Sequence, residues 1–224
     1  AMGAAPLGYL RTLALPPGTA EAWVAAFAAG LAEDQARFGL HVLGGDTVST
    51  PGPLALSLTI LGSVPAGAAI RRQGARPGDD IWVSGRIGDG WLGLRAARGD
   101  WPDPGGVLAR RYRLPEPRLD TGIALRGVAR AMMDVSDGLL QDLSHLCRAA
   151  GCAAVVEAAL IPVSDASAPV AALVLLAAAP EDAPRCAALG LTRIGRFVAG
   201  APGVALLDEA GADITPARLG WSHL

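Results

Sequence analysis

The sequence predicts an α+β fold of the α/β type, arranged in two domains. Three observations carry that expectation. Strand-like and helix-like hydrophobic patterns alternate along the chain. Its 224 residues, 51% hydrophobic and 18% charged, suffice for one large core or two small ones. The composition also changes near Pro65, where an apolar run gives way to PAGAAIRRQGARPGD, rich in Gly, Pro, Ala and Arg. A boundary is expected there, dividing 1–65 from 66–224.

In the first part, 20–38 reads as an amphipathic helix, with Trp23, Phe27, Leu31 and Phe38 at near-helical spacing and Gly39 as its stop. HVLGGDT then reads as a short strand entering a glycine turn, and LALSLTILGSV as a strand. Leu54, Leu56, Leu58 and Ile60 share one face of that strand, and the intervening residues are mostly apolar, so both faces are expected to be covered. In the second part, DIWVSG is a strand and GDGWLGLRAARG a helix entered through glycine. WPDPGG is a loop, the prolines of RLPEPRLDTG exclude a regular helix, and TGIALRGVAR can follow as one. AMMDV is a strand, and from Gly138 a helix runs to about Ala150 with Leu139, Leu140, Leu143, Leu146 and Cys147 on one stripe. VSDASAPVAA is expected to be helical, CAAVVEAAL and LTRIGRFV strands, APEDAPRCAALG a helix, and GVALLDEAGADI a strand with its turn.

Composition excludes several functions. Net charge is −2 with no basic run, so nucleic acid is not an expected partner. Every cation is Arg; without Lys there is neither a P-loop lysine nor a Schiff base. Cys147, Cys152 and Cys186 form an odd, scattered set with no CxxC, so neither a zinc site nor a disulfide framework is expected. ALVLLAAA is too short to span a bilayer and no signal peptide opens the sequence, so no membrane association and a reducing, cytoplasmic setting are expected. GRIGDG lacks the order of a dinucleotide-binding loop, and no nucleophile elbow or Ser/His/Asp trio is present.

Two short stretches could carry chemistry. MMDVSDGLLQDL puts Asp134, Ser136 and Asp137 immediately ahead of a helix. Ser and Asp are favoured helix caps, which accounts for one of the three. Two neighbouring carboxylates repel unless a cation lies between them, and a helix N-terminus can also receive a phosphate. Spacing alone leaves the cap and the metal–phosphate readings both open. In GGDT, the glycines permit close backbone approach and Asp46 offers a hard oxygen ligand for Mg²⁺, but a simple turn with an Asx bond has the same pattern. Arg72 in RRQGARPGD and Arg118 in RLPEPRLD could each pair with phosphate, or be solvated arginines.

Taken in order, GGDT, RRQGARPGD with WVSG, PEPR and DVSDGLLQDL resemble the thiamine-monophosphate kinase family. AMGAAPLGYLRTLALP resembles that family's AMGA-x-P segment and the strand after it, and LGWSH its G-[WY]-x-H tail. Related ATP-using enzymes of the aminoimidazole ribonucleotide synthetase-like superfamily include selenophosphate synthetase and the hydrogenase-maturation dehydratase; they carry other residues at the GGDT and DVSDG positions. The resemblance implies phosphorylation of thiamine monophosphate to thiamine diphosphate, with ATP as donor and several Mg²⁺ ions. It implies Asp46, Asp134 and Asp137 as Mg²⁺ ligands, Gly45, Asp46, Arg72 and Ser136 at ATP, and Trp221 against thiamine. It also implies a homodimer formed by pairing of N-terminal-domain sheets. No catalytic base is expected, because the acceptor phosphate is already ionised and needs charge neutralisation and alignment instead. The sequence departs from the family in lacking a glycine-rich acidic loop of the G-G-D-D-Y-E kind after VSDASAPVAA, where Ala172 runs directly into LVLLAAAPED. The family's acidic G-D-D and S-T-D-T segments likewise do not precede Ala1, and both are expected in the native protein outside this sequence. The alternatives are another ATP-dependent enzyme of the superfamily, or a non-catalytic nucleotide-binding protein without the acidic loops.

Overall fold

The computed structural model describes residues 2–163 and 173–220. The chain divides into a smaller unit, Ala4–Ala66, and a larger one made of Gly67–Leu224 with Ala1–Gly3. The helix expected over VSDASAPVAA falls largely on 164–172, and its register lies outside the described residues.

In the smaller unit, β1 (Ala5–Leu15), α1 (Glu21–Phe38), β2 (His41–Ser49) and β3 (Ala55–Ser63) follow one another. The sheet order is β2-β1-β3, with β1 parallel to β2 and antiparallel to β3. Val24, Phe27, Leu31, Gln35 and Phe38 are the half-buried positions of α1, a helical stripe, while Trp23 is exposed and stacks on Phe27 at 5.4 Å. Gly39 ends the helix in the left-handed conformation, φ 66°, which glycine adopts without Cβ strain.

Two expectations are corrected here. GGDT is no turn: β2 continues through it to Ser49, paired with β1. A Cβ on Gly45 would lie 1.8 Å from the Arg11 carbonyl oxygen, so the glycine serves a close approach of two strands within the sheet. The second correction concerns β3, which is exposed along its whole length instead of covered on both faces. Among the described residues it is an edge strand bonded to β1 alone, and Leu56, Leu58 and Ile60 stand in solvent.

The larger unit contains β4 (Asp80–Val83), α2 (Asp89–Arg98), α3 (Val107–Arg113), α4 (Leu119–Ala124), β5 (Ala129–Asp134), α5 (Leu139–Ala150), β6 (Ala153–Glu157), β7 (Val174–Ala178), α6 (Ala183–Ala188), β8 (Thr192–Val198) and β9 (Gly203–Leu207). The sheet runs β5-β7-β4-β8-β6-β9, and all its pairs are antiparallel except β6 with β9. That mixed, mainly antiparallel sheet makes the unit α+β. Because β4 and β5 both oppose β7, they run the same way, and their C-terminal ends share one edge of the sheet.

Both faces of this sheet are covered, and the period-2 alternation of strands sorts residues between them. Ile81, Val83, Met133, Leu175 and Ala177 join Leu139, Leu143 and Leu146 of α5 in one core. Trp82, Met132, Val174, Leu176 and Ala178 join Leu125, Cys186 and Leu191 in the other. The unbroken apolar run VLLAA is therefore a central strand. The predicted α5 stripe is buried as expected, and Gly151 closes the helix at φ 70°.

Helix α3 was not foreseen. Asp103 makes it possible, its two carboxylate oxygens accepting the Leu108 and Ala109 N–H groups at 3.0 and 2.9 Å. TGIALRGVAR is corrected too: α4 stops at Ala124, because the chain turns at Gly127 with φ 72° to enter β5 at Ala129.

All three cysteines are free and buried. Burial, and next to it the neighbouring Cys152, pushes the Cys147 thiol up to about 12. Burial, then Asp182, pushes Cys186 up to about 11. Since the thiolate is the reactive form, native protein at pH 8 is expected to resist a thiol-labelling reagent and to take up three labels once denatured. Mass spectrometry after labelling checks this.

Candidate functional site

Three expected site residues of the larger unit lie at or just after the end of β5. Asp134, its last residue, is exposed. Val135 turns inward, its N–H donating to the Leu173 carbonyl beside β7 at 3.1 Å. Ser136 is exposed and Asp137 half-buried. Arg72 lies on a segment fastened along this strand: the Met132 N–H donates to the Arg71 carbonyl at 2.9 Å, which holds this part of RRQGARPGD against the free edge of β5. Asp134 lies two residues further along the same strand. The segment is thus no solvated linker, although the Arg72 side chain is exposed.

The same segment is fastened at its far end. Asp79, 1% exposed, accepts from Arg130 Nη1 through Oδ1 at 2.5 Å and from the Arg76 N–H through Oδ2 at 2.9 Å. Gly74 passes so close that a Cβ there would lie 2.3 Å from the Arg130 carbonyl oxygen. Neither Asp79 nor Arg130 was singled out from sequence.

The helix start differs from both expected readings. The N-cap of α5 is Gly138, and no side chain caps it from that position. Instead Asp142, one turn inside the helix and 1% exposed, reaches back. Its Oδ2 accepts the N–H groups of Ser136, Asp137 and Gly138 at 2.9, 3.1 and 3.2 Å. The N–H groups expected to meet a phosphate are therefore bonded to a carboxylate of the protein. The only signal in the sequence was an acidic residue in the first helical turn, a position ordinarily read as favourable to the helix dipole.

The tail closes on this loop. A Cβ on Gly220 would lie 2.5 Å from the Asp137 carbonyl oxygen and 2.8 Å from Cβ of Gln141. Arg218 Nε donates to the Gly220 carbonyl at 3.0 Å. Trp221 lies outside the described residues, but it directly follows Gly220 in the chain.

Asp46 belongs to the smaller unit, on β2, where it is exposed and its Oδ1 accepts the Thr47 N–H at 2.7 Å. Gly45 precedes it. Arg118 is half-buried at the start of α4. Among the described residues no three His, Cys, Asp or Glu side chains converge as a ready metal cluster. The donors nevertheless suit a hard cation. Asp134 and Asp137 are hard carboxylate donors three residues apart on one loop.

Comparison with known proteins agrees with this architecture. Residues 1–64 match the N-terminal domain model of the AIR synthase related proteins, and 76–201 match the C-terminal domain model. A curated thiamine-monophosphate kinase from Caulobacter vibrioides is 42% identical over all of this chain and 70% of its own length. The chain belongs to the thiamine-monophosphate kinase family. Several further relatives of that name match over about half of their own length. The Caulobacter alignment occupies 248 positions against 224 residues here, so that relative carries residues with no counterpart in this chain. Among solved structures, thiamine-monophosphate kinase from Stenotrophomonas maltophilia superposes with a TM-score of 0.80 at 35% identity, covering 92% of this chain and 73% of the other. AaThiL complexed with AMPPCP and TMP gives 0.84 at 26%, covering 100% and 75%. Structures of the hydrogenase maturation protein HypE, at 21% identity or less, share the fold alone.

Proposed function

We propose that this protein transfers the γ-phosphoryl group of ATP directly to thiamine monophosphate, giving thiamine diphosphate. The observation that carries the reading is the DVSDG loop, held with Asp134 and Ser136 exposed at the end of β5, where the Gly220 tail meets it. The 42% identity to a thiamine-monophosphate kinase supports the substrate, and the AMPPCP- and TMP-bound relative supports ATP as donor.

The chemistry follows from the charges. Donor and acceptor are both phosphates, so the barrier is repulsion and misalignment rather than a missing base. Bound Mg²⁺ would supply the neutralising charge and a template for in-line displacement. Asp134 and Asp137 would hold it, and the family resemblance adds Asp46 as a Mg²⁺ ligand. Arg72 pairs with ATP phosphate oxygens, for which the planar guanidinium fork is suited. Ser136 donates its hydroxyl to the nucleotide, and the Gly45 backbone lies against it in this reading. Trp221, the residue after Gly220 in the chain, packs against the thiamine ring in this reading. No side chain acts as general base. A coupled assay with ATP, Mg²⁺ and thiamine monophosphate tests the proposal on the native full-length protein. Absence of thiamine diphosphate overturns it, leaving a different superfamily substrate or a non-catalytic nucleotide-binding role.

The protein is further proposed to act as a cytoplasmic homodimer. Among the described residues no helix is long and apolar enough to cross a membrane, and the buried free thiols suit a reducing compartment. The apolar residues along β3 support pairing with a second copy. Ile60, 63% exposed, is the most accessible of them. Ile60→Lys is expected to convert the dimer to a monomer by desolvating a charge in the interface, read by analytical ultracentrifugation. A wild-type protein sedimenting as a monomer overturns the dimer.

A further inference from the structure

We infer that Asp142 is a positioning residue for the metal-binding loop, and that it acts by occupying the place a phosphate would otherwise take at the start of α5. The inference rests on the functional reading above and goes beyond it in naming a residue that touches neither metal nor substrate.

Asp142 sits on the same helix as Leu139, Leu143 and Leu146, whose side chains fill one core, and it is itself 1% exposed. A carboxylate taken out of water is costly unless its oxygens are satisfied. Here three backbone donors in succession, Ser136, Asp137 and Gly138, converge on the single atom Oδ2. A carboxylate receiving several backbone N–H bonds is well stabilised in its charged form. The loop is thereby wound around an anion that belongs to the protein.

Two consequences follow from that winding. The three N–H groups point inward, so an incoming phosphate finds no unbonded donors among them. The backbone of three consecutive residues is also fixed, and with it the starting direction of the Asp137 side chain. The preceding strand end fixes Asp134 through the Val135 N–H and the Leu173 carbonyl. The loop therefore favours a cation over an anion, and phosphate is met through the cation and through Arg72. Residues that orient metal ligands without touching metal typically account for about 10- to 100-fold in metal affinity.

The test uses full-length Asp142→Asn and Asp142→Ala proteins, with Mn²⁺ as the probe cation read by electron paramagnetic resonance, and amide hydrogen exchange as an independent readout. Asp142→Asn keeps an acceptor oxygen at the same place and loses the charge; Asp142→Ala loses both. In Asp142→Ala, protection of the Ser136, Asp137 and Gly138 amides is expected to fall, and Mn²⁺ to bind about 10- to 100-fold more weakly. Asp142→Asn is expected to lie between Asp142→Ala and wild type on both scales. At saturating metal its KM for thiamine monophosphate is expected to stay near that of wild type, because the substrate contacts are untouched. If folded Asp142→Asn and Asp142→Ala bind Mn²⁺ as tightly as wild type, or if the three amides keep their protection in Asp142→Ala, the inference is overturned. Should Asp142→Ala fail to fold, Asp142→Asn alone decides through its Mn²⁺ affinity. A wild-type protein that binds Mn²⁺ yet makes no thiamine diphosphate overturns the functional reading instead, and the Mn²⁺ comparison still decides the role of Asp142.

Discussion

Asp137→Asn is expected to lower turnover by roughly a hundredfold or more, corresponding to about 3 kcal/mol of lost transition-state stabilisation. The substitution keeps the side chain's size and removes its charge. The fold is expected to survive, because the loop is held through the Asp137 N–H, which donates to Asp142 and is kept by the substitution. Steady-state kinetics with a Mg²⁺ titration and a thermal melt check both halves. The expected signature is a higher Mg²⁺ requirement with little change in melting temperature. Activity equal to wild type at limiting Mg²⁺ removes Asp137 from the list of ligands.

Arg130→Ala is expected to have the largest effect on stability, about 3–5 kcal/mol, because it leaves the buried Asp79 carboxylate without its cationic partner. The other contact of Asp79, the Arg76 N–H, remains but carries no formal charge. Chemical denaturation measures the loss. Asp79→Asn in the same background serves as the comparison: if the damage comes from the orphaned charge, the double variant recovers part of the stability lost in Arg130→Ala. An additive double variant contradicts that account. Activity is expected to fall with stability, since this ion pair and the close passage of Gly74 fasten the segment that carries Arg72.

The parts of the fold set by local signals were legible in the sequence. The stripe of α5 and the glycine ends of α1 and α5 rest on helical periodicity and the left-handed conformation, and both are found as expected. The parts that failed depend on residues distant in sequence. GGDT reads as a turn until β1 is laid beside it; then Gly45 is required by the Arg11 carbonyl. The apolar residues of β3 predict burial, but this edge strand has no second neighbour among the described residues. Helix α3 escaped notice because its cap, Asp103, lies in a proline- and glycine-rich stretch that otherwise signals loop.

The candidate site divides in the same way. Asp134, Ser136 and Asp137 were expected and follow one another at the end of β5, whereas the expected Arg72 lies on a segment fastened along that strand. What could not be read was which groups the helix start would bond. Asp142 looks like an ordinary acidic residue of a first turn, and only the folded backbone reveals three donors directed at one oxygen. The arrangement of Asp79 with Arg130 spans 51 positions in sequence, so no local pattern announces it.

The way β7 enters the sheet has an evolutionary consequence. Its first residue is clamped on both sides: Val174 N–H donates to Ser84 Oγ at 2.9 Å, its carbonyl accepts the Ser84 N–H at 3.0 Å, and the Leu173 carbonyl accepts from Val135. Leu173 and Val174 thus form a fixed docking point between the loops that follow β4 and β5. Descendants of a common ancestor can change the residues around that point without renegotiating strand register. Selection can in this way exchange one acceptor molecule for another while the inherited phosphate-handling frame stays the same.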